Sequence, residues 1–241
     1  SEAGKFETSR AIFQKEIMNS INDPSIDEVV VMSCSQIGKT EILLNAIGYY
    51  IHYAPAPILV VHPTLEMARA WSQDRLAPMI RDTEILKYKV ADVKSKDSGN
   101  TVLHKIFDGG HITACGANSP ASLASRPIKI VLCDEIDRYP PTAGSEGDPV
   151  MLAKRRSATF WDSKLVLTST PTVKGASQIE SAYEDTDKRL FYIPCHKCNK
   201  KQVLKWSQVQ WAKNKPETVR YICEYCEKKW TDIERVKNIA K

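Results

Sequence analysis

No stretch of this chain approaches the roughly 20 consecutive apolar residues that would cross a bilayer as a helix. The opening Ser-Glu-Ala-Gly-Lys-Phe-Glu lacks the apolar core of a secretory signal, so a cytoplasmic location is the expectation. No internal repeat and no low-complexity tract is visible. Acidic residues are scarce in the last fifth. Residues 195–241 hold 12 Lys and Arg against 5 Asp and Glu, whereas residues 1–194 hold 22 against 24. The formal charge of +5 is therefore concentrated at one end, which suits contact with phosphates.

What is present describes a globular protein. Hydrophobic residues make up 42% and charged residues 26% of 241, enough for one substantial core and a small second module. Short apolar runs at 29–31, 58–61, 128–133 and 164–168 alternate with helical periodicities at 9–21, 41–53, 63–73 and 152–160. Residues 101–107 and 111–115 flank Asp108-Gly109-Gly110 and read as a hairpin. Pro78 is expected to interrupt the helical stretch around it, and residues 87–100 to form a polar, lysine-rich surface excursion. The loop 138–149 carries three prolines and two glycines and is a candidate substrate-facing loop. Alternating strands and helices imply an α/β sandwich with a mostly parallel sheet. The texture changes to Cys, Lys and Trp near 190, so the expected division is a domain at 1–190 and a module at 191–241.

Residues 28–44 carry the first chemical signal. The apolar strand Val29–Val31 leads into a small polar loop ending Gly38-Lys39-Thr40, followed by Ile42, Leu43, Ala46, Ile47 and Tyr50 at helical spacing. Strand, loop and helix in that order are the context that a phosphate-binding loop needs, although a chance Gly-Lys-Thr at a helix start has the same pattern, and other motifs must decide between them. The backbone N–H groups of Ser35, Gln36, Ile37, Gly38, Lys39, Thr40 and Glu41 and the helix N-terminus face the anion. Lys39 supplies a point charge, and the Thr40 hydroxyl is a Mg²⁺ ligand. Ser33 stands where the pattern G-x-x-x-x-G-K-[ST] has its first glycine.

A second buried strand, Ile128–Cys133, delivers Asp134 and Glu135 at its carboxyl end, the edge at which open α/β sheets bind ligands. Adjacent carboxylates allow divided labour: Asp134 holds Mg²⁺ through water, and Glu135 orients and deprotonates the water that attacks the γ-phosphate. The hydroxyls of Thr168 and Ser169, and of Thr170 after them, end the next strand and are placed to contact the γ-phosphate or the attacking water.

Of the seven cysteines, Cys34, Cys115 and Cys133 lie singly among apolar or small residues and read as buried thiols. Cys195-x₂-Cys198 and Cys223-x₂-Cys226, 24 residues apart, have the spacing of a tetrahedral Cys₄ zinc ribbon with no open coordination position for catalysis. Trp206 and Trp211 can stack on bases, but the preferred reading has them covering the thin core of so small a module.

The order of these motifs resembles the ATPase portion of the phage terminase large subunit of the lambda gpA type, a motor that packages double-stranded DNA into procapsids. The resemblance runs from Gly4-Lys5-Phe6 to the second cysteine pair. It is carried by Ser35–Glu41, Pro63–Ala68, Gly116–Pro120, Arg126-Pro127, Asp134–Tyr139, Glu146–Pro149 and Ser169–Thr172. It implies an ASCE-type P-loop NTPase three-layer sandwich that takes ATP and Mg²⁺, with Glu135 catalytic and Thr168-Ser169-Thr170 coupling hydrolysis to movement. It also implies an adenine-contacting glutamine, for which Gln14 is the candidate. Such loops often carry an arginine where Ser35 stands, so a transition-state arginine must come from elsewhere. Arg126, or Arg155-Arg156 presented to a neighbouring subunit, are the options. The family further implies a ring of subunits around DNA, a small terminase subunit and a portal as partners, and the host cytoplasm as location. Its nuclease domain follows the cysteine region, and no acidic cluster of that kind stands in this sequence. Two rivals remain. A superfamily 2 helicase-like ATPase would require a second RecA-like lobe, and a non-enzymatic zinc-ribbon DNA-binding module on a degenerate NTPase scaffold is supported by Ser33 alone.

Overall fold

The computed structural model describes residues 6–90, 99–124 and 126–240. Gly4, Lys5 and most of the 87–100 excursion lie outside them. Contacts divide the chain into Glu16–Asp187 and a second unit made of Ser1–Lys15 with Lys188–Lys241.

The larger unit is built on a six-stranded sheet. In chain order, α1 (Phe13–Asn22) enters it, followed by β1 (Glu28–Met32), α2 (Lys39–His52), β2 (Ile58–His62), α3 (Leu65–Trp71), α4 (Ala77–Asp82) and α5 (Glu84–Lys87). Next come β3 (His104–Phe107), β4 (Gly110–Gly116), α6 (Pro120–Ala124), β5 (Ile130–Asp134), α7 (Pro149–Arg155), β6 (Lys164–Ser169) and α8 (Gln178–Glu184). The strand order is β1-β6-β5-β2-β4-β3, parallel except for the β3–β4 hairpin.

Every residue of β2, β5 and β6 is buried, as expected of strands covered on both faces. Period-two alternation sorts their side chains into two cores. Ile58, Val60, Ile130, Leu132 and Val166 join Ile42, Leu43 and Ile47 of α2 on one face. Leu59, Val61, Val131, Leu165 and Leu167 join Leu123 of α6, Leu152 of α7 and Ile179 of α8 on the other. Caps fix where these helices begin: Thr64 accepts the Met67 N–H, Asp148 that of Met151 ahead of Pro149, and Ser177 that of Glu180.

Pro78 does not interrupt the chain as expected. A wide π turn over Ser72–Leu76 precedes α4, and Pro78 sits in its first turn, where a missing N–H costs little.

His62, the last residue of β2, is buried against the Trp71 ring, 4.9 Å between centroids. Burial holds its imidazole down at about 4. The folded chain thus keeps His62 neutral where the unfolded chain protonates it, below about pH 6.5. Stability is full above that pH and should fall by on the order of 3 kcal/mol as pH drops towards 4. Urea titrations at neutral and acid pH should show a smaller loss for His62→Gln than for wild type. An equal loss would refute the assignment.

The smaller unit holds two short sheets. β7 (Ile193–Pro194) pairs with β8 (Lys201–Gln202), and β9 (Val209–Ala212), β10 (Lys215–Ile222) and β11 (Lys229–Trp230) form the other, in the order β11-β10-β9. Helix α9 (Asp232–Ile239) follows, opened by a capping box between Thr231 and Glu234. Phe13 meets Phe191 here edge to face at 6.0 Å. The fully buried tryptophan is Trp230, packed on Tyr221. Trp206 and Trp211 are exposed, which corrects their reading as core.

Candidate functional site

The strand order explains why three motifs distant in sequence meet. β6 lies between β1 and β5, so the loop after β1, the acids ending β5 and the hydroxyls ending β6 share one sheet edge. The Ser33 N–H donates to the Ser169 carbonyl at 3.2 Å, closing the loop's entrance onto β6. The left-handed positions of the loop are Gln36 (φ 64°) and Gly38 (φ 87°), and Ser33 is not among them. A serine at 33 therefore costs this loop no backbone strain, and glycine stands at one of the two positions that need a positive φ. Cys34 is exposed in the loop, not buried as its small neighbours suggest. Cys115 and Cys133 are buried, as expected.

Lys39 opens α2 with its side chain 6% exposed. Its Nζ donates to Thr170 Oγ1 at 2.7 Å and to the Cys34 carbonyl at 3.2 Å, and lies 3.4 Å from Glu135 Oε1. The lysine is thus held by three oxygens at the place where an anion would dock. Thr170, the partner at 2.7 Å, was signalled in sequence only as the tail of a hydroxyl run.

Asp134 is buried, and its Oδ1 accepts the Thr168 hydroxyl at 2.6 Å. Burial raises its carboxyl above the ordinary range, while the Thr168 hydroxyl, the Lys39 charge, the Glu135 N–H and the Thr40 hydroxyl pull the other way. The Thr40 hydroxyl is thus near enough to the Asp134 carboxylate to favour its charge, and the two offer oxygen donors of the kind a hard divalent cation takes. Thr168 is fully buried and spends its hydroxyl on Asp134, so it orients the carboxylate and faces no open space.

Glu135 adopts a left-handed conformation (φ 56°, ψ 50°), a strain of about 1–3 kcal/mol for a residue with a side chain. That kink turns the chain out of β5 and leaves the carboxylate between two cations, Lys39 and Arg138, the latter at 3.8 Å from Oε2. Asp137 secures the kink from behind. Its N–H donates to Ser169 Oγ at 3.2 Å, and its carboxylate accepts the Thr172 N–H (2.8 Å), the Thr172 hydroxyl (2.9 Å) and the Ile179 N–H (2.8 Å). Ser169 is thereby a joint between the β5 exit and the β6 end. Neither Asp137 nor Arg138 was singled out in sequence as a site residue, although both lie in the block Asp134–Tyr139.

The remaining candidates are held by other elements. Arg126 contacts His104 Nε2 at 3.3 Å, and His104 belongs to β3, at the opposite edge of the sheet from β1. Arg155 is exposed at the end of α7. Gln14 is buried and is grouped with the smaller unit.

In the smaller unit, the thiol sulfurs of Cys195, Cys198, Cys223 and Cys226 all lie within 4.8 Å of one another. The Cys195–Cys226 and Cys198–Cys223 separations are both 3.8 Å. A tetrahedron of sulfurs about 2.3 Å from a central Zn²⁺ has edges of about 3.8 Å, so the four residues fit that ion. The Lys197 N–H points at Cys195 Sγ (3.4 Å) and the Gln202 amide at Cys223 Sγ (3.3 Å). Burial opposes charge on Cys223, but hydrogen bonds from the Tyr225 and Cys226 N–H groups and from Gln202 outweigh it and hold the thiol well below its ordinary range.

A family model for the ATPase domain of the phage terminase large subunit gpA matches residues 1–241. The terminase large subunit of Enterobacteria phage P21 is 31% identical over 231 residues, 92% of this chain and 36% of that protein. That of Escherichia phage lambda is 28% identical over 233 residues, 93% of this chain and again 36% of the relative. The chain thus spans about a third of the length of these curated relatives. Among solved structures, a large terminase from a thermophilic bacteriophage aligns at 16% identity over 70% of this chain and 40% of that one, with a TM-score of 0.49. The large terminase ATPase domain of Thermus phage P74-26 aligns at 14% identity over 66% of both chains, with a TM-score of 0.46. With the family model matched along its full length, the chain belongs to the phage terminase large subunit gpA family, in the part that forms its ATPase domain.

Proposed function

We propose that this chain hydrolyses ATP to drive double-stranded DNA into a procapsid. The observation that carries the reading is the convergence of Lys39, Thr40, Asp134, Glu135 and Thr170 at one sheet edge. An ASCE-type three-layer sandwich is supported by the two cores on opposite faces of the parallel sheet. The backbone from Ser35 to Glu41 cradles the phosphates, and Lys39 exchanges its present oxygens for those of the β- and γ-phosphates. Thr40 and Asp134 would hold Mg²⁺, which supplies charge neutralisation across those phosphates. Glu135 takes the proton of the attacking water. Thr168 fixes Asp134, and Ser169 with Thr170 links loss of the γ-phosphate to the β5 exit. Gln14 is retained as the adenine contact, and Arg126 as an arginine offered to a neighbouring subunit, since its place on the far edge suits a donor in trans.

Cys195, Cys198, Cys223 and Cys226 would hold a structural Zn²⁺ in a ribbon, residues 191–241, appended to the 1–190 motor. Four thiolates with one Zn²⁺ lower the +7 of residues 195–241 to about +5, still suited to DNA. The expected partners are a small terminase subunit, a portal protein and further copies of this chain in a ring, in the host cytoplasm. A degenerate, non-enzymatic scaffold loses its sole support, because Ser33 needs no glycine.

Phosphate release by the full chain should rise when double-stranded DNA is added. Lys39→Ala should lower it at least about a hundredfold, since the charge facing the transferred phosphoryl is gone. Wild-type turnover in that variant would overturn the proposal.

A further inference from the structure

The exposed tryptophans of the cysteine-bearing unit are not explained by packing. Val209 and Trp211 alternate onto one face of β9, and Val209 sits opposite Tyr221 of β10, whose ring packs on buried Trp230. That face begins in the core and runs outward into solvent. At its outer end Trp211 is 53% exposed and Trp206 77%, with ring centroids 6.0 Å apart. An indole left in water forgoes the stabilisation of burying a large apolar ring, and here two neighbours do so together. Beside them an open groove of about 650 Å³ passes over Val209 and Val219. Its walls carry Lys205, paired with Glu224 at 2.6 Å, Arg235, paired with Asp232 at 2.7 Å, and Arg220, which among the described residues donates only to the Glu217 and Val219 carbonyls. The segment around them holds 12 basic residues against 5 acidic ones.

Paired indoles on the surface of a basic module are the chemistry that takes up bases and phosphates together. Inside an intact duplex each base face is covered by the next base pair, so indoles stack most readily where bases are unpaired. We propose that this face binds single-stranded nucleic acid, its bases stacking on Trp206 and Trp211 and its phosphates drawn to Arg220 and to the segment's surplus of basic residues. An apolar protein segment would also cover indoles, but the surplus of cations favours a polyanion. The inference concerns residues of one unit and is independent of the nucleotide site, so its test contains no ATP.

The test uses the full chain and a fluorescein-labelled oligothymidylate of about 20 nucleotides, followed by anisotropy at about 0.1 M salt. A relaxed, covalently closed circular duplex serves as competitor. The wild type should bind the single strand, and the closed duplex should compete poorly per nucleotide. The pair Trp206→Ala/Trp211→Ala should weaken binding at least about tenfold, whereas Trp206→Phe/Trp211→Phe should retain most of it, because a smaller ring still stacks. Metal content measured on each variant shows that the fold around the four cysteines is kept. Affinity of the alanine pair within about twofold of wild type, or no binding of the oligonucleotide by the wild type, would overturn the proposal.

Discussion

Glu135→Gln should stop turnover while leaving nucleotide binding intact. The carboxylate lies 3.4 Å from Lys39; on the proposed reading it would act both as the base for the attacking water and as a competitor for the cation facing the phosphates. The amide is nearly isosteric and can still hold a water, but it cannot accept its proton. Loss of a positioned general base costs about 10²–10⁴-fold in rate. Removing the negative charge also frees Lys39, so affinity for a labelled ATP analogue should be equal to or tighter than that of the wild type. This split separates Glu135 from Lys39, whose removal should weaken both binding and turnover. Single-turnover phosphate release together with equilibrium nucleotide binding measures it. Hydrolysis by Glu135→Gln at the wild-type rate would move the base elsewhere.

The second large effect should come from the cysteines. The smaller unit has few buried side chains of its own: Ile193, Tyr221 and Trp230 share their core with Cys195 and Cys223. So small a core supplies little stability, whereas a structural Zn²⁺ bound by thiolates contributes on the order of 10 kcal/mol or more. Cys198→Ser, or chelation of the wild type, should therefore release about one zinc per chain. It should also expose Trp230, seen as a red shift of tryptophan emission. The Glu16–Asp187 unit has its own two cores and should keep its cooperative unfolding transition. Elemental analysis that finds no metal in chelator-free protein, or a ribbon unchanged by Cys198→Ser, would count against the site.

Much of the larger unit was legible because its signals are local. A β-branched run at 29–31, the turn at 108–110 and the periodicity of 41–53 each report on a few neighbouring residues, and the structure has strands, a hairpin and a helix there. The cysteine cluster was legible for the same reason, since C-x₂-C fixes two thiols on one turn. Burial was read less well where residue type and place disagree. Small neighbours suggested a buried Cys34, but it sits exposed in the loop between β1 and α2. Bulk suggested buried Trp206 and Trp211, but Trp230 already fills the space beside Tyr221.

The sequence by itself determined which groups are available: a lysine and a hydroxyl at a helix start, two carboxylates at a strand end, a hydroxyl run, and four thiols. Only the tertiary structure decided how they are shared. Placing β6 between β1 and β5 brings Thr170 to Lys39 and Thr168 to Asp134, pairings across 131 and 34 residues. It likewise makes Asp137 the lock on Thr172 and Ile179 and leaves Arg126 at the far edge, whereas Arg138 meets Glu135 within a single local turn. The physical reason is that strand order is a property of the whole sheet. It follows from how two apolar faces are covered at once, and no window of local sequence contains it.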